Sequence, residues 1–438
     1  MILLDVSLTI ISSVFIFLLV VLFLVGILLY IKAKLSPSGK ITIKINGEKE
    51  IIVDGGSTLL STLSSNGIFL PSACGGGGTC VQCTCQVNEG GGGILPTESP
   101  HFSRKEIADN YRLSCQVKVR EDMDIHIPEE VFGVKKWEAT VVSNYNVATY
   151  IKEFIVEVPE DIPYEAGGYI QIEIPNCKVP FSEMDITAHP EDHPGEPNKF
   201  DKDWGEGNFA MRHLVMKNDE EVVRAYSMAS YPDEGRKIML NVRVAAPPYD
   251  VAKNTWSDLN PGVASSYIFG RKPGDKVTIS GPYGEFFINH SEAEMLYIGG
   301  GAGMAPMRSH LYELFKTLKT GRKVSFWYGG RSRAELFYIE HFRSLEREFS
   351  NFKFYLVLSD AKESDNWIEK KDIDDPNGDG FVGFVHNAVI DQYLVNHETP
   401  EDIELYFCGP PMMNQSVIKL AEDWGIPDEN VRFDDFGG

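Results

Sequence analysis

The stretch Met295-Leu296-Tyr297-Ile298, followed at once by Gly299-Gly300-Gly301-Ala302-Gly303-Met304-Ala305-Pro306, organises the C-terminal third of the 438-residue chain. Four apolar residues read as a short buried strand, and Met307 to Leu318 read as a helix. A strand, a glycine loop and a helix in that order cradle a pyrophosphate, because the loop's amide N–H groups converge on it. Met304 stands where the full Gly-x-Gly-x-x-Gly fingerprint has its last glycine. Further strands are expected at Val324–Tyr328, Lys353–Val357 and Glu404–Cys408, the first and last followed by a glycine turn and a helical stretch. Such alternation predicts a parallel sheet with ligands at the strands' C-terminal ends. Cys408 lies at one such end, before Gly409-Pro410-Pro411-Met412-Met413-Asn414. It reads as a thiol facing a nicotinamide, against a buried small residue. Arg331 and Arg333 suit either a 2′-phosphate or an adenosine ribose. Asp375-x-Asn377-x-Asp379-Gly380 faintly resembles a calcium loop, but His386 occupies position 12, where such a loop needs a bidentate Glu.

Upstream, Trp137 to Ile174 shows short strand-like runs broken by Pro and Gly, the pattern of an antiparallel β-barrel. Within it Arg224-Ala225-Tyr226-Ser227 carries a coherent chemistry. Arg224 can pair with a flavin phosphate, Tyr226 can cover one face of an isoalloxazine, and Ser227 can hydrogen-bond the flavin edge. Pro261-Gly262-Val263-Ala264-Ser265-Ser266 reads as a helix opening beneath a pyrophosphate. Gly281 to Phe287 then closes the barrel. Asn176 to Asn218 is rich in Asp, Glu, His and Pro and reads as a surface insertion, with His189 and His193 as solvated loop histidines rather than metal ligands.

Between residues 38 and 130 the informative feature is cysteine spacing. Cys74-x5-Cys80-x2-Cys83 with a distant Cys115 supplies three thiolates from one wrapped loop and one from a separate segment, as a [2Fe–2S] cluster requires. A zinc ribbon needs a second short Cys pair, and none follows. Cys85, two residues after Cys83, reads as a small residue on the strand leaving the loop. Ile41 to Val53 forms two alternating runs around Asn46-Gly47, a hairpin signal, and Thr58 to Asn66 reads as a helix. Ser103 to Glu106 is a capping-box pattern.

No charged residue lies between Asp5 and Lys32. Residues 6–31 span ~39 Å as a helix, enough to cross a hydrocarbon core of about 30 Å. A cleaved signal peptide has a shorter apolar run. Lys32 and Lys34 follow the span, while Asp5 alone precedes it, which places residues 32–438 on the cytoplasmic side. The span holds no Asp, Glu, Lys, Arg or His, so it reads as an anchor and not an ion path.

Lys and Arg number 41 against 63 Asp and Glu, a net charge of −22, which argues against nucleic acid as a partner. A hydrophobic content of 43% excludes a disordered chain, and seven cysteines exclude a disulfide-dense scaffold. No serine, cysteine or zinc hydrolase motif is present.

Taken in order, one apolar span, Cys-Gly-Gly-Gly-Gly-Thr-Cys, Arg-Ala-Tyr-Ser-Met-Ala, Ser-Ser-Tyr-Ile-Phe, Gly-Gly-Gly-Ala-Gly-Met-Ala-Pro, Cys-Gly-Pro-Pro-Met-Met-Asn and the tail Asp434-Asp435-Phe436-Gly437-Gly438 resemble the F subunits of sodium-translocating NADH:quinone reductases along essentially the whole chain. The two soluble reductase parts are similar to the wider ferredoxin–NADP reductase family. The resemblance implies a multidomain protein: a transmembrane anchor at 1–34, a β-grasp (α+β) [2Fe–2S] ferredoxin domain at 38–130, an antiparallel β-barrel FAD domain at 134–290 and an α/β parallel-sheet NADH domain at 291–438. By the same resemblance Cys74, Cys80, Cys83 and Cys115 ligate the cluster, and Arg224, Tyr226, Ser227, Ser265 and Ser266 bind FAD. Gly301, Gly303 and Cys408 line the NADH site, and Phe436 covers the flavin face that nicotinamide must reach. The implied activity is NADH oxidation, with a hydride passing to FAD and single electrons passing to the cluster. Partner subunits of a membrane quinone-reductase complex then receive them, in a bacterial inner membrane. A reductase feeding an oxygenase and a non-enzymatic ferredoxin-type carrier are the alternatives. The cysteine at 85 and the long acidic stretch 185–207 depart from the family pattern.

Overall fold

The computed structural model describes residues 15–27, 40–72, 74–207 and 209–435. Residues 15–27 are helical with exposed side chains, and the rest of the apolar segment 6–31 lies outside the described residues. Among the described residues no helix is long and apolar enough to cross a membrane. From residue 40 onward the chain divides into two compact units, one ending at Phe132 and one beginning at Gly133, with Cys74 and Gly75 grouping with the second.

The first unit is built on a mixed five-stranded sheet. Its strands are β1 (Lys40–Ile45), β2 (Lys49–Asp54), β3 (Thr84–Glu89), β4 (Tyr111–Leu113) and β5 (Met123–His126), ordered β2-β1-β5-β3-β4. β1 and β2 form the expected hairpin, with Asn46 and Gly47 both at positive φ, and β1 pairs in parallel with β5. The helix Leu59–Ser65 is capped by the Thr58 side chain, which accepts from the Ser61 N–H, and buries Leu59 and Leu63. Those leucines join Ile43, Ile45, Cys85, Val117 and Ile125 in one core. The helix Arg104–Ala108 opens with a complete capping box between Ser103 and Glu106.

A buried ion pair stiffens the segment before β4. Arg112 Nη2 donates to Glu98 Oε2 at 2.8 Å, and the Glu98 side chain is fully buried. Glu98 also accepts from the backbone N–H groups of Leu95 and Leu113, at 3.0 and 2.9 Å. A buried charge persists only when its oxygens are satisfied in this way.

The second unit begins with a six-stranded antiparallel sheet of β6 (Lys135–Ala148), β7 (Ile151–Glu157), β8 (Tyr169–Ile174), β11 (Val222–Ser227), β12 (Lys237–Arg243) and β15 (Lys276–Tyr283), ordered β11-β8-β15-β6-β7-β12. The edge strands meet through a Met228–Leu240 bridge and an Ala229 N–H to Met239 carbonyl bond of 2.7 Å, which closes the sheet into a barrel. Two small ribbons flank it, β9 (Cys177–Pro180) with β10 (Val215–Asn218) and β13 (Tyr249–Asp250) with β14 (Thr255–Trp256).

The nucleotide half is a six-stranded, wholly parallel sheet. Its strands are β16 (Met295–Gly300), β17 (Val324–Gly330), β18 (Phe352–Leu358), β19 (Phe381–Val382), β20 (Glu404–Cys408) and β21 (Val431–Asp434), ordered β19-β18-β17-β16-β20-β21. The central strands are buried on both faces, as parallel sheets covered by helices require. The edge strands β19 and β21 were not foreseen, because two and four residues are too few for a hydrophobic period to register.

The segment 176–218 corrects the sequence reading. It is anchored in the barrel's core, with Phe181, Phe200, Trp204 and Met211 buried in the barrel cluster, while 194–199, 201–203 and 205–207 stay exposed. His189 and His193, read as solvated, are 9% and 7% exposed. His193 Nε2 lies 3.1 Å from the Val147 carbonyl, and its ring meets Phe200 edge-on. The acidic composition hid a sparse set of large apolar residues without strand or helix period.

Candidate functional site

In the first unit, Cys83 and Cys115 come together in a small cluster with Leu113, and Leu60, Val81 and Phe102 pack around it. Both cysteines are buried, while Cys74 and Cys80 are half-buried. The loop between Cys80 and Cys83 turns through Val81 at φ 63°, a conformation that costs a β-branched residue energy. The Gln116 amide donates to Cys115 Sγ at 3.6 Å. Hydrogen bonding with Cys115 and burial both drive the Cys83 thiol far above its ordinary range. Two adjacent buried sulfurs cannot both ionise without a cation beside them. A thiophilic metal centre supplies that charge, so the donor set fits an iron–sulfur cluster. Among the described residues no group of three or more His, Cys, Asp or Glu side chains stands ready to hold a single metal ion. Cys85 lies on β3 within the hydrophobic core, opposite Arg112 on β4, and burial pushes its thiol up to about 12.

In the second unit, Arg224, Tyr226 and Ser227 lie on edge strand β11, in register with Ile172, Ile170 and Tyr169 of β8. Arg224 and Tyr226 share one face by the two-residue period, and both are half-buried. Arg224 Nη1 donates to the Val223 carbonyl at 2.8 Å, which leaves donors of its fork for an anion. Burial pushes the Tyr226 phenol up, although Arg224 opposes this. Ser265 and Ser266 sit in the helix Val263–Phe269. Ser265 Oγ accepts from the Ala245 N–H at 3.0 Å, so its hydroxyl ties the helix to the end of β12. Ser266 Oγ is buried with no hydrogen-bond partner among the described residues, and the Gln171 amide nitrogen on β8 is likewise buried and unpartnered. Buried orphans of this kind beside a half-buried Arg and Tyr fit a polar cofactor such as FAD.

The glycine loop runs from β16 through a single turn at Gly301–Gly303 into the helix Met304–Tyr312. Gly301 has φ +55°, and a Cβ on Gly303 would lie 2.1 Å from the Cys408 carbonyl oxygen. Glycine is therefore required at both, for the left-handed turn and for the close approach of loop to β20. The helix is fastened to the barrel by Arg308. Its Nη1 donates to the Ala229 carbonyl at 2.7 Å, and its Nη2 donates to Glu234 Oε1 at 2.7 Å.

Cys408 ends β20, paired with Gly299 on one side and Asp434 of β21 on the other. It is fully buried, and burial together with Asp434 and Asp435 drives its thiol well above the ordinary value. Its sulfur is a neutral thiol and not a nucleophile. Asp434 in turn accepts a 2.6 Å hydrogen bond from Ser227 Oγ. Burial pushes the Asp434 carboxyl up to about 6, against the Ser227 hydrogen bond and with help from Asp435. The structure thus assembles Ser227 of the barrel, Cys408 of the parallel sheet and the C-terminal Asp434 at one place. Phe436 lies outside the described residues. Sequence reasoning named Ser227 and Cys408 but missed Asp434 as a partner, since its only signal was membership in the terminal Asp-Asp-Phe-Gly-Gly run.

Three family models match the chain in order: a 2Fe-2S iron-sulfur cluster binding domain at residues 43–120, an oxidoreductase FAD-binding domain at 205–288, and an oxidoreductase NAD-binding domain at 297–419. The chain is 52% identical over 431 residues to the F subunit of the Na(+)-translocating NADH-quinone reductase of Neisseria meningitidis, covering 98% of this chain and 100% of that protein. It is 49% identical over 435 residues to the corresponding protein of a Marinomonas species, covering 99% and 100%. Among solved structures it is similar in fold to an Amycolatopsis cytochrome P450 reductase, with a TM-score of 0.59 at 22% identity over 90% of this chain and 98% of that one. The ferredoxin reductase in carbazole 1,9a-dioxygenase gives a TM-score of 0.55 at 21% identity, over 91% and 99%. With an iron–sulfur domain, a FAD domain and an NAD domain in sequence and a match along nearly its whole length, the chain belongs to the family of F subunits of the Na(+)-translocating NADH-quinone reductase.

Proposed function

We infer that the chain is the NADH-oxidising, electron-input component of a Na(+)-translocating NADH-quinone reductase. The observation that carries this reading is the convergence of Ser227, Cys408 and Asp434 where the flavin barrel meets the glycine loop of the nucleotide half. A bound flavin accepts electrons in pairs and releases them singly, and a [2Fe–2S] cluster carries one at a time.

The protein's own groups supply position and charge. Arg224 and Tyr226 hold the flavin's phosphate and ring, and Ser266 offers it a hydroxyl. Ser227 presents a hydroxyl whose orientation Asp434 sets. Gly301 and Gly303 bring backbone N–H groups to the NADH pyrophosphate. Cys408 places a neutral, polarisable sulfur against the nicotinamide, and Phe436 is assigned to the flavin face. Cys74, Cys80, Cys83 and Cys115 are assigned to the cluster. The domain bounds 1–34, 38–130, 134–290 and 291–438 follow from this assignment.

The membrane side of the reading rests on residues 6–31, which carry no charge, and on Lys32 and Lys34 after them. It places the chain as a single-pass protein of the bacterial inner membrane, with its redox domains in the cytoplasm and other subunits as partners. Full-length protein with both cofactors, titrated anaerobically, tests the whole reading. NADH bleaches the flavin absorbance and raises the EPR signal of a reduced cluster, while NADPH does neither at the same concentration. A chain whose flavin stays oxidised under NADH is not the dehydrogenase component. In inverted membrane vesicles a C-terminal tag is open to protease; a protected tag reverses the orientation.

A further inference from the structure

The segment 185–207, which the redox reading leaves without a role, carries a buried polar network between the barrel and the nucleotide half. His189 Nε2 lies 3.3 Å from Glu153 Oε1 of β7, and His189 Nδ1 lies 3.4 Å from Asp192 Oδ2. Nδ1 and that oxygen have no well-aligned hydrogen bond, so their contact is an ion pair. Glu153 Oε2 accepts from the Tyr338 hydroxyl at 2.7 Å, and that hydroxyl accepts from the Asn241 amide of β12 at 2.8 Å. Asp192 Oδ1 accepts from the Tyr338 backbone N–H at 2.9 Å. Glu153 and Tyr338 are 4% and 1% exposed.

Tyr338 is where the nucleotide half is held. It precedes the helix Ile339–Glu348 and sits at φ 58°, which an aromatic residue adopts only when its surroundings compel it. Its ring stacks on His341 of that helix at 5.0 Å. Phe342, on the same helix, packs edge-on against Phe326 of β17, and a Cβ on Gly299 would lie 3.0 Å from Phe326. Packed side chains therefore run from the segment 185–207 to the start of the glycine loop.

We propose that residues 185–207 brace the nucleotide half against the flavin barrel, and that His189 is a positioning residue for hydride transfer. The brace works by charge. Glu153 and Asp192 are carboxylates facing one another across His189, whose ring stands between them and offsets their charges in a site largely shielded from water. Without it the two repel, the Asp192 contact to Tyr338 loosens, and the helix start gains freedom. Hydride transfer is steep in donor–acceptor distance, so such slack slows it without removing any group that touches substrate. The proposal rests on the NADH-to-flavin reading, but wild-type protein that reduces its flavin with NADH upholds that reading whatever the variants do.

The test uses full-length protein with FAD and cluster bound. His189→Ala retains its flavin, binds NAD+ with nearly unchanged affinity, and lowers the maximal rate of flavin reduction by about tenfold. Amide hydrogen exchange at Tyr338 and the following turn accelerates in parallel. Asp192→Asn keeps an acceptor for the Tyr338 N–H while removing one charge, and serves if His189→Ala does not fold; it gives a smaller slowing and faster exchange. Unchanged reduction rates with unchanged exchange overturn the brace. So does a slowing that tracks lost flavin alone.

Discussion

The Ser227 hydroxyl donates to Asp434 Oδ2 at 2.6 Å, joining positions 207 residues apart in the chain. One lies at the end of a barrel strand and the other on the last strand of the parallel sheet. The bond sets the direction of a hydroxyl that would otherwise rotate, and it places a titrating carboxyl beside it.

Two outcomes follow for that pair. Ser227→Ala slows flavin reduction by NADH about 10²-fold with flavin content retained, as loss of one preorganised hydrogen-bonding group does. Asp434 is pushed up to about 6, chiefly by burial. Above that pH its carboxylate accepts from Ser227; below it, the protonated form competes as a donor. The reduction rate therefore falls as pH drops through about 6, and Asp434→Asn removes the inflection. Stopped-flow absorbance across that range checks both.

The cysteines separate by environment. Cys83→Ser and Cys115→Ser abolish the cluster's visible absorbance and EPR signal, since each removes one of two adjacent buried sulfurs. Cys85 is embedded among Ile43, Val87 and Ile125, and its thiol is driven up to about 12. Cys85→Ala keeps the signal and costs about 1 kcal/mol for a small cavity. Loss of the signal in Cys85→Ala would reassign the ligand set.

Glu98→Gln destabilises the first unit by about 3 kcal/mol, because it strips the charge from a buried pair and leaves Arg112 uncompensated. Burial opposes ionisation of Glu98, but Arg112 and the two backbone N–H groups win and hold its carboxyl below the usual range. The stabilisation is therefore complete above the ordinary carboxylate pKa and is lost as pH falls through the lowered one. Urea unfolding at pH 7 and in steps downward from pH 4, followed by cluster absorbance, shows the wild-type and variant midpoints converging in acid.

Lys152 acts in the same direction, over a higher pH range. It is fully buried, donates to the carbonyls of Asn144 and Asp185 at 2.6 Å each, and lies over the Phe269 ring. Burial lowers its pKa to about 7, with Asp185 opposing. Between pH 7 and the ordinary lysine value the unfolded chain binds the extra proton. Stability from this group therefore rises with pH, by ~4 kcal/mol across the window. Lys152→Met flattens that slope, which thermal unfolding from pH 7 to pH 10 measures.

Local chemistry was legible wherever it was carried by neighbours in the chain. Asn46-Gly47, Ser103-x-x-Glu106 and the glycine run after Ile298 act within a few residues, and the hairpin, the capping box and the strand–loop–helix unit stand where they were read. The Arg-x-Tyr-Ser run is local in the same way and stands on β11 of the barrel.

Pairings between distant residues were decided by tertiary structure alone. Asp434 meets Ser227 only because β21 adds to the sheet beside β20. His189 is buried against a carboxylate at each ring nitrogen because the fold brings Glu153 of β7 to one of them, while Asp192, three residues on, meets the other. A polar residue's composition gives its exposure only when water is its best partner. Here folding supplied better ones for His189 and His193, which are buried within a stretch whose other residues largely face water.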